Sequence, residues 1–312
     1  MSKRLGALGL VVVLVVAVLG ACSPKEPTTP PLLPSGFETA PVPDIDLSGY
    51  VYVNSGKTIQ AKGDLVGLSG DFDVRSLALW GLPGGDGAAL RIEFASPSQA
   101  QQTSDKVNKD AKLKSILNGN VLYVLYGPPG STEGLSAVIS AGKWVKFQDR
   151  FPDPWKTMNR LPDKPPFAPV GVGFVSLDPT LINKVIVGSG ATGLGDLTKS
   201  LQTAQIDLVA FGLYSKENLS ASKDFRAKDA LKSGQAVVAV AKSSIPSIAV
   251  SVAFNKIVTD IGFQKSSGKA GGYSKQLDNY EVMIMNRGNV IHSALAPNSG
   301  DANDLLESVT NR

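Results

Sequence analysis

Asn118-Gly119-Asn120-Val121-Leu122 runs on to Pro128, and Arg287-Gly288-Asn289-Val290-Ile291 runs on to Pro297. Gly, Asn, Val and Pro coincide at a constant offset of 169. Each stretch lies between apolar runs, and Asn-Gly in that setting favours a tight hairpin because both residues tolerate positive φ. The first copy predicts strands over about 112–117 and 121–127, with the turn at Asn118-Gly119. The second predicts strands over 280–285 and 289–296, with the turn at Asn286 to Gly288. A helix-like segment follows each proline, at 131–141 and 299–310.

The match extends towards the N-terminus. Leu77 to Trp80 and Ala89 to Phe94 read as strands across a Pro-Gly-Gly turn; Asp207 to Phe211 and Ala236 to Val240 are their counterparts across a charged insertion at 215–234. Ser96-Pro97 and Ser244-Ile245-Pro246 then offer helix starts, with Ser as N-cap and Pro in the first turn. The helix at 246–260 carries Ile248, Val252, Ile257 and Ile261 as its apolar stripe; its counterpart at 98–110 is more polar. Gly49-Tyr50-Val51-Tyr52-Val53 and Gly171-Val172-Gly173-Phe174-Val175 open the two copies as strands. The pattern is α+β: two tandem, duplicated domains, each a mainly antiparallel sheet with helices packed on one face. Repeat 1 spans 44–155, a proline-rich linker 156–170, and repeat 2 spans 171–312.

Ahead of the repeats, Lys3 and Arg4 precede an uncharged run from Leu5 to Leu19. It is short for a membrane span and has the flanks of a signal-peptide core. Leu19-Gly20-Ala21 before Cys22, the only cysteine in 312 residues, resembles the lipobox of bacterial lipoproteins. The resemblance implies that residues 1–21 are removed, that Cys22 is acylated, and that the chain is extracytoplasmic, lipid-anchored to the cell membrane or the outer membrane. Ser23, rather than Asp, after the cysteine is compatible with outer-membrane sorting in a cell with two membranes. Several acyl chains, at about 0.8 kcal/mol per buried methylene, anchor far better than one. Residues 22–43 then read as an acylated tether, since seven of the 21 residues from Ser23 to Pro43 are proline.

With one cysteine, no disulfide can form within the chain, and its core must stabilise it. The formal charge of +4 loses Lys3 and Arg4 with the signal, leaving 29 basic against 27 acidic residues. That balance gives no electrostatic case for nucleic acid.

Candidate chemistry is sparse. Gly188-Ser189-Gly190-Ala191-Thr192-Gly193 matches the dinucleotide fingerprint, but Asp207 falls too early for the ribose acid, and the shared Gly70-Asp71 and Gly195-Asp196 read as loops with a capping Asp; no cofactor is expected. His292, the only histidine, falls mid-strand opposite Tyr123 of the other copy, and no Gly-x-Ser-x-Gly elbow accompanies it. Asp44 with Asp46, and Asp71 with Asp73, place carboxylates two apart without a calcium loop, and Met283 with Met285 read as core; no metal is expected. Trp144, Phe147, Phe151 and Trp155 cluster near the repeat boundary as an inter-domain core or a ligand groove. The reading is a non-catalytic protein binding an envelope protein or small ligand. A solute-binding lipoprotein of a transport system is the alternative, and a hydrolase is more distant.

Overall fold

The computed structural model describes residues 33–54, 59–62, 71–110, 113–128, 130–177, 205–216, 235–277 and 280–311. Cys22, the lipobox and the Gly188–Gly193 motif lie outside these residues. The strands are β1 (Val42–Pro43), β2 (Gly49–Val53), β3 (Ile59–Lys62), β4 (Asp71–Gly81), β5 (Ala88–Phe94), β6 (Lys114–Asn118), β7 (Val121–Tyr126), β8 (Trp144–Val145), β9 (Ala168–Ser176), β10 (Ile206–Ser215), β11 (Gln235–Ser243), β12 (Gln264–Lys265), β13 (Tyr273–Leu277), β14 (Tyr280–Arg287) and β15 (Val290–Ala296). The α-helices are α1 (Pro97–Val107), α2 (Glu133–Ala141), α3 (Phe147–Arg150), α4 (Pro152–Met158), α5 (Ser247–Ile261) and α6 (Ser299–Thr310).

The hairpins form where the repeated motif places them, with the turn one residue later than Asn-Gly suggests. Asn118 pairs with Val121, and Arg287 with Val290, so the two-residue loops are Gly119-Asn120 and Gly288-Asn289. Gly119 and Gly288 take φ of 61° and 69°, the positive φ that a primed turn needs at its first central position. The shared Asn has a separate task. Asn120 Nδ2 donates to the Phe94 carbonyl at 2.8 Å, and Asn289 Nδ2 donates to the Ser243 carbonyl at 3.1 Å. The backbone N–H of Phe94 and of Ser243 donates back to the carbonyl of the same Asn. Each turn is thereby clamped to the end of the strand that leads into α1 or α5.

Thirteen strands form one antiparallel sheet, ordered β12-β13-β14-β15-β11-β10-β9-β2-β4-β5-β7-β6, with β3 pairing the start of β4; β1 and β8 form a separate pair. Outward from the middle, one half reads β2-β4-β5-β7-β6 and the other β9-β10-β11-β15-β14. At the junction Gly49 pairs with Val175, Tyr50 with Phe174, Val51 with Gly173, Tyr52 with Val172 and Val53 with Gly171. Since Gly49 to Val53 corresponds to Gly171 to Val175, this register is self-complementary about Val51 and Gly173. It is the geometry of an isologous interface inside one chain, and it joins the repeats through a single sheet.

Helices cover both faces of that sheet, not one. Ala100 and Val107 of α1 pack with Leu77, Leu90, Ile92 and Leu122, while Val250, Phe254 and Val258 of α5 pack with Val209, Phe211, Val237 and Ile291. Leu135 and Ile139 of α2, Met158 of α4 and Leu305, Leu306 and Val309 of α6 pack on the opposite face in a common core. The reason is visible in β11, where Ala236 to Ala241 are all buried; a strand apolar on both sides needs cover on both. In α5 the expected stripe is also rotated. Ile248 and Val252 are 76% and 69% exposed, and the larger Phe254 turns inward with Val250 and Val258.

The proline-rich stretch ends earlier than composition indicates. Phe37, Ala40 and Val42 are buried, and Phe37 packs against Tyr50, Tyr52, Phe147 and Trp155 with ring centroids 5.1 to 6.3 Å apart. Residues 33–43 therefore belong to the folded body, because burying one large aromatic outweighs the loss of backbone donors at neighbouring prolines.

A Cβ on Gly173 would collide with the Tyr50 carbonyl oxygen and stand 2.7 Å from Phe211 Cζ. Overpacking of this kind costs roughly 1–3 kcal/mol. Gly173→Ala is expected to lower the unfolding free energy by that amount, read as a lower urea midpoint with an unchanged slope; a midpoint equal to the parent's would show that the sheet does not depend on close approach at this joint.

Candidate functional site: a polar cleft in the first half

β5 alternates between the faces. Leu90, Ile92 and Phe94 point into the core under α1, which sends Ala89, Arg91 and Glu93 to the other side. There, Arg91 is 7% exposed. Its Nη1 donates to Ser76 Oγ at 3.0 Å and its Nη2 to Glu93 Oε2 at 3.0 Å. Ser76 Oγ donates to the same carboxylate oxygen at 2.9 Å. Arg91 Nε is buried with no hydrogen-bond partner among the described residues. This triad lines a cleft of about 500 Å³. The segment from Ser35 to Pro41 forms its outer wall, and Tyr52, Asn54 and Arg75 complete it. The Tyr52 hydroxyl donates to the Ser35 carbonyl at 3.1 Å and accepts from Asn54 Nδ2 at 3.2 Å, fixing the wall to the sheet.

Burial pulls the Glu93 pKa upward, but hydrogen bonds from Ser76 and Arg91, and the charges of Arg91 and Arg75, outweigh it and hold the carboxyl below its usual range. Burial pushes the Tyr52 phenol up, so it stays a donor. Such a set binds better than it catalyses. A carboxylate held below its normal pKa is a weak base, and Ser76 donates to it with no histidine between them.

The second half supplies an internal comparison. Tyr52, Ala78, Arg91 and Tyr123 are cross-strand neighbours in one row. The matching row is Phe174, Ala210, Val240 and His292. In the adjacent row Ser76 pairs with Glu93, where the second half has Leu208 and Lys242. The buried triad is thus replaced by Leu208 and Val240 with an exposed Lys242, and α4 packs over β9, β10 and β11 on that side. The same fold closes without an arginine, a serine or a carboxylate at these positions.

No protein-family model matches the chain, and no curated protein is similar to it. It is similar to a solved structure titled "Structure of crystal form III of TP0453", with 8% identity over 86% of this chain and 95% of that one, at a TM-score of 0.36. A likeness at that level bears on neither the fold nor the function.

The residues singled out from sequence have other surroundings. Phe147 and Phe151 are buried and touch Phe174; Trp144 stacks on Tyr123 and Trp155 on Phe37. The four belong to the shared aromatic core and do not line the cleft. Asp46 accepts from Arg150 Nη2 at 2.6 Å, with Asp44 3.5 Å from the same guanidinium. Asp73 accepts from Gln99 Nε2 at 3.4 Å. Met283 is buried and Met285 packs beside it. Sequence reasoning passes over the cleft residues, although Arg91 and Glu93, alternating with Leu90, Ile92 and Phe94 where the second copy has Val240 and Lys242, are a signal that aligning the copies exposes.

His292 is 2% exposed, and neither ring nitrogen has a hydrogen-bond partner among the described residues. Burial, with Arg160 and Arg287 nearby, lowers its pKa to about 3. The folded state excludes a proton that the unfolded chain binds below about pH 6.5. Stability is therefore intact above that pH and falls as pH drops towards 3. The loss approaches about 1.4 kcal/mol per pH unit. His292→Leu is expected to flatten this part of the profile in denaturant titrations between pH 6 and 4; parallel profiles for parent and variant would reject the assignment.

Proposed function

We propose that this chain is a membrane-anchored, extracytoplasmic, non-catalytic binding protein that holds a small polar ligand in the cleft of its first half. The observation that carries the reading is the Ser76–Arg91–Glu93 triad around an open cleft, at positions where the other half uses Leu208 and Val240. A buried ion pair is weak support for stability, because apolar residues of similar volume often serve as well or better. Its presence in one copy alone fits a ligand site on a duplicated scaffold. The lipobox Leu19-Gly20-Ala21-Cys22 supports the anchor, and the proline-rich residues between Cys22 and the folded body support a short stalk.

A solute-binding lipoprotein of a transporter would share the anchor. Two lobes closing on a solute need a hinge, whereas one sheet runs through both halves here, which favours a rigid cleft.

The test uses the full chain purified in detergent, alongside a variant carrying the second half's residues, Ser76→Leu, Arg91→Val and Glu93→Lys. Small-molecule extract of the native cells is expected to raise the Tm of the parent and not of the variant, and fatty-acid labelling in cells is expected to be lost in Cys22→Ser. Equal shifts in parent and variant would remove the cleft from the proposal, and labelling that persists would remove the anchor.

A further inference from the structure

Resting on the cleft reading, we infer that its ligand is a small oxyanion, a carboxylate or phosphate compound, with a hydroxyl or amine beside the anionic group. The charges set the class. Two guanidiniums, Arg75 and Arg91, meet one carboxylate, Glu93, so the cleft carries an excess positive charge. The donors set the geometry. Arg91 is more than nine-tenths buried beside Tyr123 of the neighbouring strand, and its Nε has no hydrogen-bond partner among the described residues. Two of its other N–H groups are locked by Ser76 and Glu93, so the guanidinium plane is fixed before a ligand arrives. Arginine presents its donors as a planar fork that matches carboxylate and phosphate oxygens. Arg75 is exposed on β4, lines the cleft and is close enough to depress Glu93, which adds a second guanidinium to the site.

The acceptor side sets the second group. The hydrogen bonds from Ser76 and Arg91 to Glu93 both fall on Oε2. Oε1 can accept from a hydroxyl or ammonium on the ligand, a few ångströms from the anion subsite. The second half, with Leu208, Val240 and Lys242 at the Ser76, Arg91 and Glu93 positions, offers no guanidinium or carboxylate there, so among the described residues the site is confined to the first half.

The anion has two sources for a lipid-anchored chain: a free metabolite or a phospholipid headgroup. Titrations of the full chain with inorganic phosphate, glycerol 3-phosphate and gluconate, with glycerol and choline as compounds lacking an anionic group, and with phosphatidylcholine vesicles with and without phosphatidylglycerol, separate them. Saturable binding of the free anions, weakened about tenfold by Arg75→Ala and unchanged by Lys156→Ala, supports the inference with a soluble ligand. The same variant dependence seen only on phosphatidylglycerol vesicles supports it with a headgroup. Binding of glycerol or choline that Arg75→Ala leaves unchanged and the Ser76→Leu, Arg91→Val, Glu93→Lys variant abolishes would overturn the anion class while keeping the cleft as a binding site. No cleft-dependent binding of any of these compounds overturns both.

Discussion

The antiparallel pairing of β2 with β9 is the constraint on which the rest of the structure depends. Its five residue pairs centre on Val51 and Gly173, and the register makes each repeat's first strand the partner of the other's. Two consequences follow from geometry. Antiparallel pairing about a local twofold normal to the sheet keeps equivalent side chains on the same face, so α1 and α5 lie on one side and α2 and α6 on the other. It also removes two sheet edges, which would otherwise expose unpaired backbone groups. The junction tolerates no bulk at Gly173, and that is where exact symmetry yields to packing: Phe211 occupies the space that a side chain there would need.

Once two copies share one sheet, they need not solve the same packing problem in the same way. On the second side, α4 lies over β9, β10 and β11, and Leu208 and Val240 stand at the positions of Ser76 and Arg91. On the first side, the segment around Phe37 covers only part of the equivalent ground and leaves a cleft lined by Ser76, Arg91 and Glu93. Desolvating a guanidinium and a carboxylate costs several kcal/mol per ion before their attraction is counted. The second half shows that this fold closes with Leu208 and Val240 at the two buried positions and an exposed Lys242 in place of the carboxylate. Sites that bind are the places where proteins accept such costs.

Much of the scaffold was legible in sequence. The motif repeated at offset 169 located both hairpins within a residue or two, and Ser96-Pro97 located the start of α1, where Ser96 Oγ accepts from the Gln99 N–H. Local signals carried these, since turns, caps and hairpins depend on neighbours in the chain. What was not legible depends on distant partners. Nothing local tells that α5 buries Phe254 and not Val252, because both lie on apolar sides of the helix. Nothing local tells that Phe37 fills a space beside Tyr50 and Phe147, so its prolines read as tether. The cleft escaped for the same reason: Arg91 and Glu93 look like the solvent side of an amphipathic strand until the wall formed by Ser35 to Pro41 is in place.

The central claim is that the triad is kept for a ligand and not for the fold. Equilibrium unfolding of the chain carrying Ser76→Leu, Arg91→Val and Glu93→Lys tests it most directly, with no ligand needed. If the claim holds, the variant unfolds cooperatively at the parent's urea midpoint or above it. A loss of about 3–5 kcal/mol, the size expected when a buried pair that supports its surroundings is broken, would contradict it and return the triad to the architecture.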